Sequence, residues 1–163
     1  MSNGAQAPGL ELAATGVAAA AATPVELWSC QAVPMPRRLR SARSPVALLG
    51  NVDDARRDAA YASASVVVCP ALREDYGLTV LEAMRWGRPV IVCEDGGGLV
   101  ELVEDTGAGL IVEPEPAAIA EAIDRIVGGE GEAMSAAATE AAARITWDRC
   151  YGELDAALSA VAG

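Results

Sequence analysis

Two glutamates flank the start of a predicted helix in "REDYGLTVLEAMRWGRPVIVCEDGGG", which runs from Arg73 to Gly98. Glu74 precedes the helix, and Glu82 lies about one turn inside it among mostly apolar side chains. An ionised carboxylate is costly to bury alone, so Glu82 must reach solvent or face a cleft that holds a ligand. Carboxylates accept hydrogen bonds from hydroxyls, so we expect the pair to recognise a ligand that carries hydroxyl groups. The alternative, to which we give equal weight, is that acidic residues stand here only because they favour the helix dipole.

The residues between the two glutamates predict an anion site. Gly77 stands at the expected helix start, where the amides of Leu78, Thr79 and Val80 have no partner inside the helix. Such amides, reinforced by the helix dipole, suit a phosphate group. With a carboxylate on either side, the site indicates a ligand that has both phosphate and sugar hydroxyls.

Two further loops are candidates for ligand contact. "CEDGGGLVE" places consecutive glycines before a helix, which either lets a ligand approach the backbone or forms a tight turn. In "LLGNVDD", Asp53 or Asp54 is a candidate helix cap, and backbone groups there can meet a planar base. Ligands of open parallel sheets bind at the carboxyl ends of the strands, where both loops are expected. The "RRLRSAR" cluster is a candidate for phosphate binding, but we favour its interpretation as a solvated loop.

These loops belong to an alternating pattern of strands and helices that begins at Pro45. Short continuous apolar strands that alternate with helices are typical of parallel strands covered on both faces. The pattern predicts an α/β fold with a doubly wound parallel sheet and helices on both faces. The predicted strands are "PVALLG", "SVVVCP", "PVIVCE" and "AGLIVEP", and the predicted helices are "DDARRDAAYASA", "YGLTVLEAMRWG", "LVELVEDTG" and "EPAAIAEAIDRIVGG".

The two ends of the chain follow other patterns. After Gly131 the sequence predicts one or two helices, bent near Thr146–Trp147 and packed at the end of the sheet. Before Pro45, "PGLELAATG" and "PVELWSC" are candidate strands, and "AVPMPRRLRSARS" is predicted to be a loop. We divide the chain into a partial N-terminal strand and linker region at 1–44 and one domain at 45–163.

Composition excludes several classes of function. The chain has 163 residues, no His, and 12 basic residues that are all Arg, which rules out His-based catalysis, Schiff-base lysines and a P-loop. A net charge of −11 argues against nucleic acid or an anionic membrane as partner. Without metal-ligand spacing, Cys30, Cys69, Cys93 and Cys150 are expected to be buried, reduced thiols. We expect a cytoplasmic chain without an integral membrane segment.

The segment "YASASVVVCPALREDYGLTVLEAMRWGRPVIV" resembles the donor-binding signature of group-one retaining glycosyltransferases with the GT-B fold. In that family two glutamates are separated by seven residues. In this chain Glu74 and Glu82 have the same spacing, and "DYGLTVL" stands between them. "GGGLVELV", "GLIVEP" and the closing "ITWDRCYGELDAAL" follow in the family's order, so the resemblance extends from about Pro45 to the end. It implies a Rossmann-like, nucleotide-sugar-binding domain, one of two that enclose an active site.

The resemblance also implies roles for individual residues, with a nucleoside diphosphate sugar as substrate and neither a metal nor another cofactor. Glu74, the catalytic candidate, would hold hydroxyls of the transferred sugar, helped by the amides around Tyr76 and Gly77. Glu82 would hold the ribose hydroxyls. The amides of Leu78 and Thr79 would hold the diphosphate. The loop of Gly50, Asn51 and Val52 would receive the base.

Several departures from the family pattern leave two hypotheses open. We find neither the acceptor domain nor the strand that brings an Arg and a Lys to the diphosphate, and Asp75 stands where the family usually has Gly. The chain is then the donor half of an enzyme, active only with a missing acceptor domain or partner chain. Alternatively, it is an inactive truncated module that binds a partner or forms a homo-oligomer. An epimerase is a weaker third hypothesis because an acid–base set is missing. We expect the isolated chain to be inactive.

Overall fold

The computed structural model describes Thr15 and residues 25–27, 46–48 and 51–162. Two parallel sheets are present in this part: a pair, β1 (Val25–Leu27) and β2 (Val46–Leu48), and a trio in the order β3 (Val67–Cys69), β4 (Val90–Cys93), β5 (Gly109–Val112). The helices are α1 (Asp54–Ser63), α2 (Leu78–Arg85), α3 (Gly98–Thr106), α4 (Pro116–Arg125), α5 (Gly131–Arg144) and α6 (Trp147–Ala162). Every element predicted from Pro45 onward is found.

Local sequence signals explain where the helices begin. Asp53 caps α1, because its Oδ1 accepts a hydrogen bond of 2.8 Å from the Arg56 amide. Helix α4 begins with Pro116, whose missing N–H costs nothing at a helix start. Helices α2 and α3 begin after Gly77 and Gly97, both of which have positive φ angles of 75° and 67°. Of the two predicted caps, Asp53 is the one used.

Side chains of the central strand β4 enter two separate cores, one on each face of the trio. Ile91 and Cys93 pack with apolar residues of α4 such as Ile119. Val90 and Val92 pack in the other cluster, which includes residues of α1, α2, α3 and α5. All of β4 is buried, and burying each of its large side chains contributes about 1.5–3 kcal/mol. The predicted α/β fold with helices on both faces is confirmed.

The C-terminal region adds two details to the prediction. After α4 the chain kinks at Gly129, which has a φ of 135°, before α5 begins, and Arg125 pairs with Glu130 across this kink at 2.8 Å. The predicted break near Thr146 is found. Helix α5 packs on α2 in the core that contains Val90 and Val92, to which it contributes Ala138 and Ala141. All side chains from Trp147 to Val161 of α6 are exposed, so the prediction that the C-terminal helices pack at the end of the sheet is wrong for α6.

Exposed side chains of α6 form an apolar strip with alternating spacings of four and three residues. The strip consists of Trp147, Tyr151, Leu154, Leu158 and Val161. The rings of Trp147 and Tyr151 stack, with their centroids 5.8 Å apart. Among the described residues, no helix has the length and apolar character needed to cross a membrane.

Most of the N-terminal predictions lie outside the described residues. The strand predicted in "PVELWSC" is confirmed by β1. In the strand predicted in "PGLELAATG", only Thr15 is described, and it is helical, so the prediction is wrong at that position. The predicted loop "AVPMPRRLRSARS" lies outside the described residues, as do Gly50 and Cys30.

Candidate functional site

The loop that carries Glu74 is held by main-chain hydrogen bonds to the loop that follows β4. The amide of Arg73 donates to the Asp95 carbonyl at 2.8 Å, and the amide of Glu74 donates to the Gly96 carbonyl at 3.0 Å. In return, the Gly98 amide donates to the Glu74 carbonyl at 2.8 Å. These bonds resume the parallel pairing of β3 and β4 beyond the ends of both strands. The backbone position of Glu74 is therefore fixed by the sheet.

The consecutive glycines after β4 are needed for this contact between the two loops. Gly97 has a φ of 67°, and a Cβ there would lie 2.9 Å from the Glu74 carbonyl oxygen. A Cβ on Gly98 would collide with the Asp75 carbonyl. The sequence left two alternatives for this loop, a ligand approach or a tight turn. The tight turn is found, because the Gly96 amide donates to the Cys93 carbonyl at 2.8 Å, and the chain that approaches the glycines closely is the backbone of the Glu74 loop.

The start of α2 presents two free amides rather than the predicted three. The Val80 amide donates to the Gly77 carbonyl at 2.9 Å, so the prediction that it is an unpaired donor is wrong. Such a bond to the third preceding residue tightens the first turn of a helix. The amides of Leu78 and Thr79 have no hydrogen-bond partner within residues 51–162. Gly77 itself is buried, with Leu99 packed where a Cβ would lie.

Glu82 is exposed on α2 and accepts a hydrogen bond of 3.0 Å from the hydroxyl of Tyr61. The sequence alternatives for Glu82 were solvent or a ligand cleft, and the carboxylate reaches solvent. The pKa of Arg57, one turn before Tyr61 on α1, is raised mainly by its hydrogen bond to Asp58. Negative charges, including that of Glu82, add to this effect. Glu82 thus faces α1, which carries both a hydroxyl and a guanidinium.

The contact between Tyr61 and Glu82 was missed in the sequence analysis. It joins side chains 21 positions apart on two different helices. The only sequence signal was a tyrosine near the end of an otherwise Ala-rich and polar predicted helix. Buried tyrosines usually satisfy their hydroxyl, so that signal indicates a partner but does not identify it.

The other predicted site residues lie around the start of α2 and before α1. Glu74, Tyr76, Leu78 and Thr79 are exposed, and the side chains of Tyr76 and Leu78 retain 60% and 62% of their accessible surface. In the predicted base loop, Asn51 is exposed and Val52 half-buried, while Gly50 lies outside the described residues. Orientation of both glutamates toward one ligand stays a prediction.

Two cysteines lie at the ends of the strands that lead into the site. Burial raises the pKa of the Cys69 thiol to about 12 and that of Cys93 to about 11. Both thiols stay protonated near neutral pH and are poor nucleophiles, as the sequence predicted. The prediction is wrong for Cys150, which is exposed because it lies on α6.

Comparisons with known sequences show extensive similarity to sugar-transferring enzymes. Residues 9–128 match the model of a family described as "Glycosyl transferases group 1". A D-inositol 3-phosphate glycosyltransferase from Geodermatophilus obscurus is 40% identical over 103 residues, which cover 63% of this chain and 22% of that protein. An uncharacterised glycosyltransferase from Methanocaldococcus jannaschii is 39% identical over 90 residues, or 55% and 23% of the two chains. The chain thus spans less than a quarter of the length of each of these two relatives.

Solved structures show the same architecture. Sucrose-phosphate synthase from Thermosynechococcus elongatus superposes with a TM-score of 0.76 and 27% identity over 94% of this chain and 43% of that enzyme. The Anabaena protein HepE, solved in complex with UDP and glucose, superposes with a TM-score of 0.59 and 25% identity, covering 72% of this chain and 33% of that protein.

The match to the family model begins at residue 9, whereas the resemblance seen in the sequence was traced only from about Pro45.

Proposed function

Because the chain belongs to the group 1 glycosyltransferase family, we propose that it is the donor-binding half of a retaining glycosyltransferase. It binds a nucleoside diphosphate sugar and, with acceptor-binding groups from another domain or chain, transfers the sugar to an acceptor without a metal ion. The observation that carries the proposal is the main-chain pairing that holds Glu74 beside the helix start at Gly77. The relative solved with UDP and glucose supports this class of ligand.

Each predicted group has a task that its chemistry suits. The free amides of Leu78 and Thr79 bind the diphosphate and stabilise its charge as it leaves. Glu82 accepts hydrogen bonds from the ribose hydroxyls, and Glu74, which is catalytic in this proposal, does so from the transferred sugar. Each such charge-assisted hydrogen bond contributes about 1.5–3 kcal/mol. Backbone groups of the base loop, residues 50–52, receive the base, and the amides at Tyr76 and Gly77 assist Glu74.

The charge distribution limits what the chain does alone. Its net charge is −11 and it has no lysine, so it repels a diphosphate except where local donors compensate. In the loop before α2, Arg73 is the one cation next to Glu74. Transfer also requires an acceptor hydroxyl held against the sugar carbon. We therefore propose weak donor binding by this chain and transfer only in the presence of an acceptor-binding domain or partner chain.

Calorimetric titration with UDP-, GDP-, ADP- and dTDP-sugars tests donor binding and identifies the base. Glu82→Ala should weaken the nucleoside diphosphate and the nucleotide sugar equally, by about 10- to 100-fold, because it removes a contact to the ribose. Glu74→Ala should weaken only the nucleotide sugar. Glu104→Ala, on the exposed surface of α3, is the matched control and should change neither affinity.

Two results would contradict the proposal. Equal weakening of the plain diphosphate by both substitutions would remove the division of roles between Glu74 and Glu82. Efficient transfer by the purified chain would show that acceptor groups are already present.

A second candidate function is favoured by the exposed apolar strip on α6. Under this second function the chain is an inactive glycosyltransferase-like module that binds a partner chain or a second copy through the strip. The physical reason is that contiguous apolar surface is rarely left exposed to water. Failure of all four nucleotide sugars to bind, together with association through α6, would favour this function over donor binding.

A further inference from the structure

A buried tyrosine presents its hydroxyl to the exposed carboxylate of Glu82. The ring of Tyr61 is 9% exposed and belongs to the same core cluster as Val80, Ala83 and Met84 of α2. Its hydroxyl lies 3.0 Å from Oε2 of Glu82. An ionised carboxylate only accepts hydrogen bonds, so the tyrosine is the donor. A rigid core residue therefore holds one oxygen of a flexible surface side chain.

The helix that carries this hydroxyl is capped at its start and joined to another segment at its end. Asp53 caps its first turn through the bond of 2.8 Å to the Arg56 amide. At the other end, the guanidinium of Arg88 donates to the carbonyls of Ala62 at 2.8 Å and Ala64 at 3.0 Å. Arg88 lies just before β4, so these bonds tie the end of α1 to the segment that leads into the central strand. The hydroxyl is thus fixed relative to the fold.

We propose that Tyr61 is a positioning residue that orders Glu82 to receive the ribose hydroxyls of the donor, an inference that rests on the proposed function. An exposed glutamate samples many rotamers, and fixing them on binding lowers affinity. The hydrogen bond from Tyr61 restricts these rotamers before the ligand arrives. It occupies Oε2, which leaves Oε1 free to accept hydrogen bonds from the adjacent ribose hydroxyls.

The test compares UDP with its 2′,3′-dideoxy analogue, which lacks both ribose hydroxyls. Tyr61→Phe removes the donor hydroxyl and keeps the ring that fills the core. We expect it to weaken UDP by about two- to tenfold and to leave the affinity for the dideoxy analogue unchanged. In a Glu82→Ala background the same substitution should have no further effect, because Tyr61 acts through Glu82. Ser63→Ala, which removes an exposed hydroxyl from the same helix as Tyr61, is the matched control and should change neither affinity.

The outcomes separate this inference from the proposed function. If the wild-type chain binds neither UDP nor the nucleotide sugars, the proposed function fails and the inference fails with it. If it binds UDP and the dideoxy analogue equally, Glu82 does not recognise the ribose, and the inference is overturned. If it prefers UDP but Tyr61→Phe weakens both ligands equally, or neither, only the positioning role is overturned.

A second variant covers the case in which Tyr61→Phe does not fold. Site-specific replacement of Tyr61 by a trifluorotyrosine nearly keeps the size of the side chain but lowers the pH at which its hydroxyl ionises. An ionised phenol cannot donate a hydrogen bond and repels the Glu82 carboxylate. The preference for UDP over the dideoxy analogue should then fall as the pH rises through the ionisation of the phenol. A preference that stays constant over that range overturns the proposal.

Discussion

Replacing Gly97 by Ala tests whether the glycine loop is required for contact with the Glu74 loop. Gly97 has φ 67° and ψ −128°, a region that costs a non-glycine residue about 1–3 kcal/mol. The new Cβ would also lie 2.9 Å from the Glu74 carbonyl, which the Gly98 amide uses as its acceptor. Moving that carbonyl weakens this bond and the neighbouring bond to Gly96, each worth about 0.5–1.5 kcal/mol. We therefore expect a loss of about 2–6 kcal/mol in the free energy of unfolding.

Gly107→Ala is the matched control for this substitution. Gly107 also has a positive φ, 66°, but no atom lies within 4 Å of the position of its Cβ. Only the backbone conformation is penalised there, by about 1–2 kcal/mol. Urea unfolding of both variants should show the larger loss for Gly97→Ala, and hydrogen exchange of the Glu74 and Gly98 amides should accelerate in that variant alone. Equal losses with unchanged exchange would refute the argument that these loops are held together through Gly97.

Thiol reactivity, the pH dependence of stability and self-association provide three further tests. At pH 8 an alkylating reagent should modify Cys150 rapidly and reach Cys69 and Cys93 only on unfolding. The reason is that burial raises the pKa of the Cys69 thiol to about 12 and that of the Cys93 thiol to about 11. Peptide mass spectrometry detects which cysteines are modified. The unfolded thiols ionise at lower pH than the folded ones, so the free energy of unfolding should fall as the pH rises above 9. In sedimentation velocity the wild-type chain should associate more as its concentration rises. Leu158→Glu in the apolar strip should suppress this association. A wild-type chain that stays monomeric would contradict the prediction.

Most of the fold was predictable because each element carries its own local signals. β-branched runs are bounded by Pro and Gly, and helices open at Asp53 or Pro116, so element boundaries follow from neighbouring residues. The two glycines after Val127 indicated that a helix ends there, and the chain does kink at Gly129, whose φ of 135° favours glycine.

The site was predictable only in part because its contacts join distant segments. The spacing of Glu74 and Glu82 around Gly77 could be seen in the sequence, and so could the exposed helix start. That Val80 uses its amide inside the first turn, and that Tyr61 reaches Glu82, depend on how helices sit on the sheet. Such contacts are set by tertiary packing rather than by local propensity.

The main-chain pairing of the two loops also bears on how this protein can diverge. Since the backbone alone holds the Glu74 loop in place, the side chains at Glu74, Asp75 and Tyr76 project into solvent without stabilising the fold, and none makes a hydrogen bond within residues 51–162. Exposed substitutions of this kind usually change stability by less than about 0.5 kcal/mol. Substitutions at these three positions can therefore accumulate while the fold remains intact.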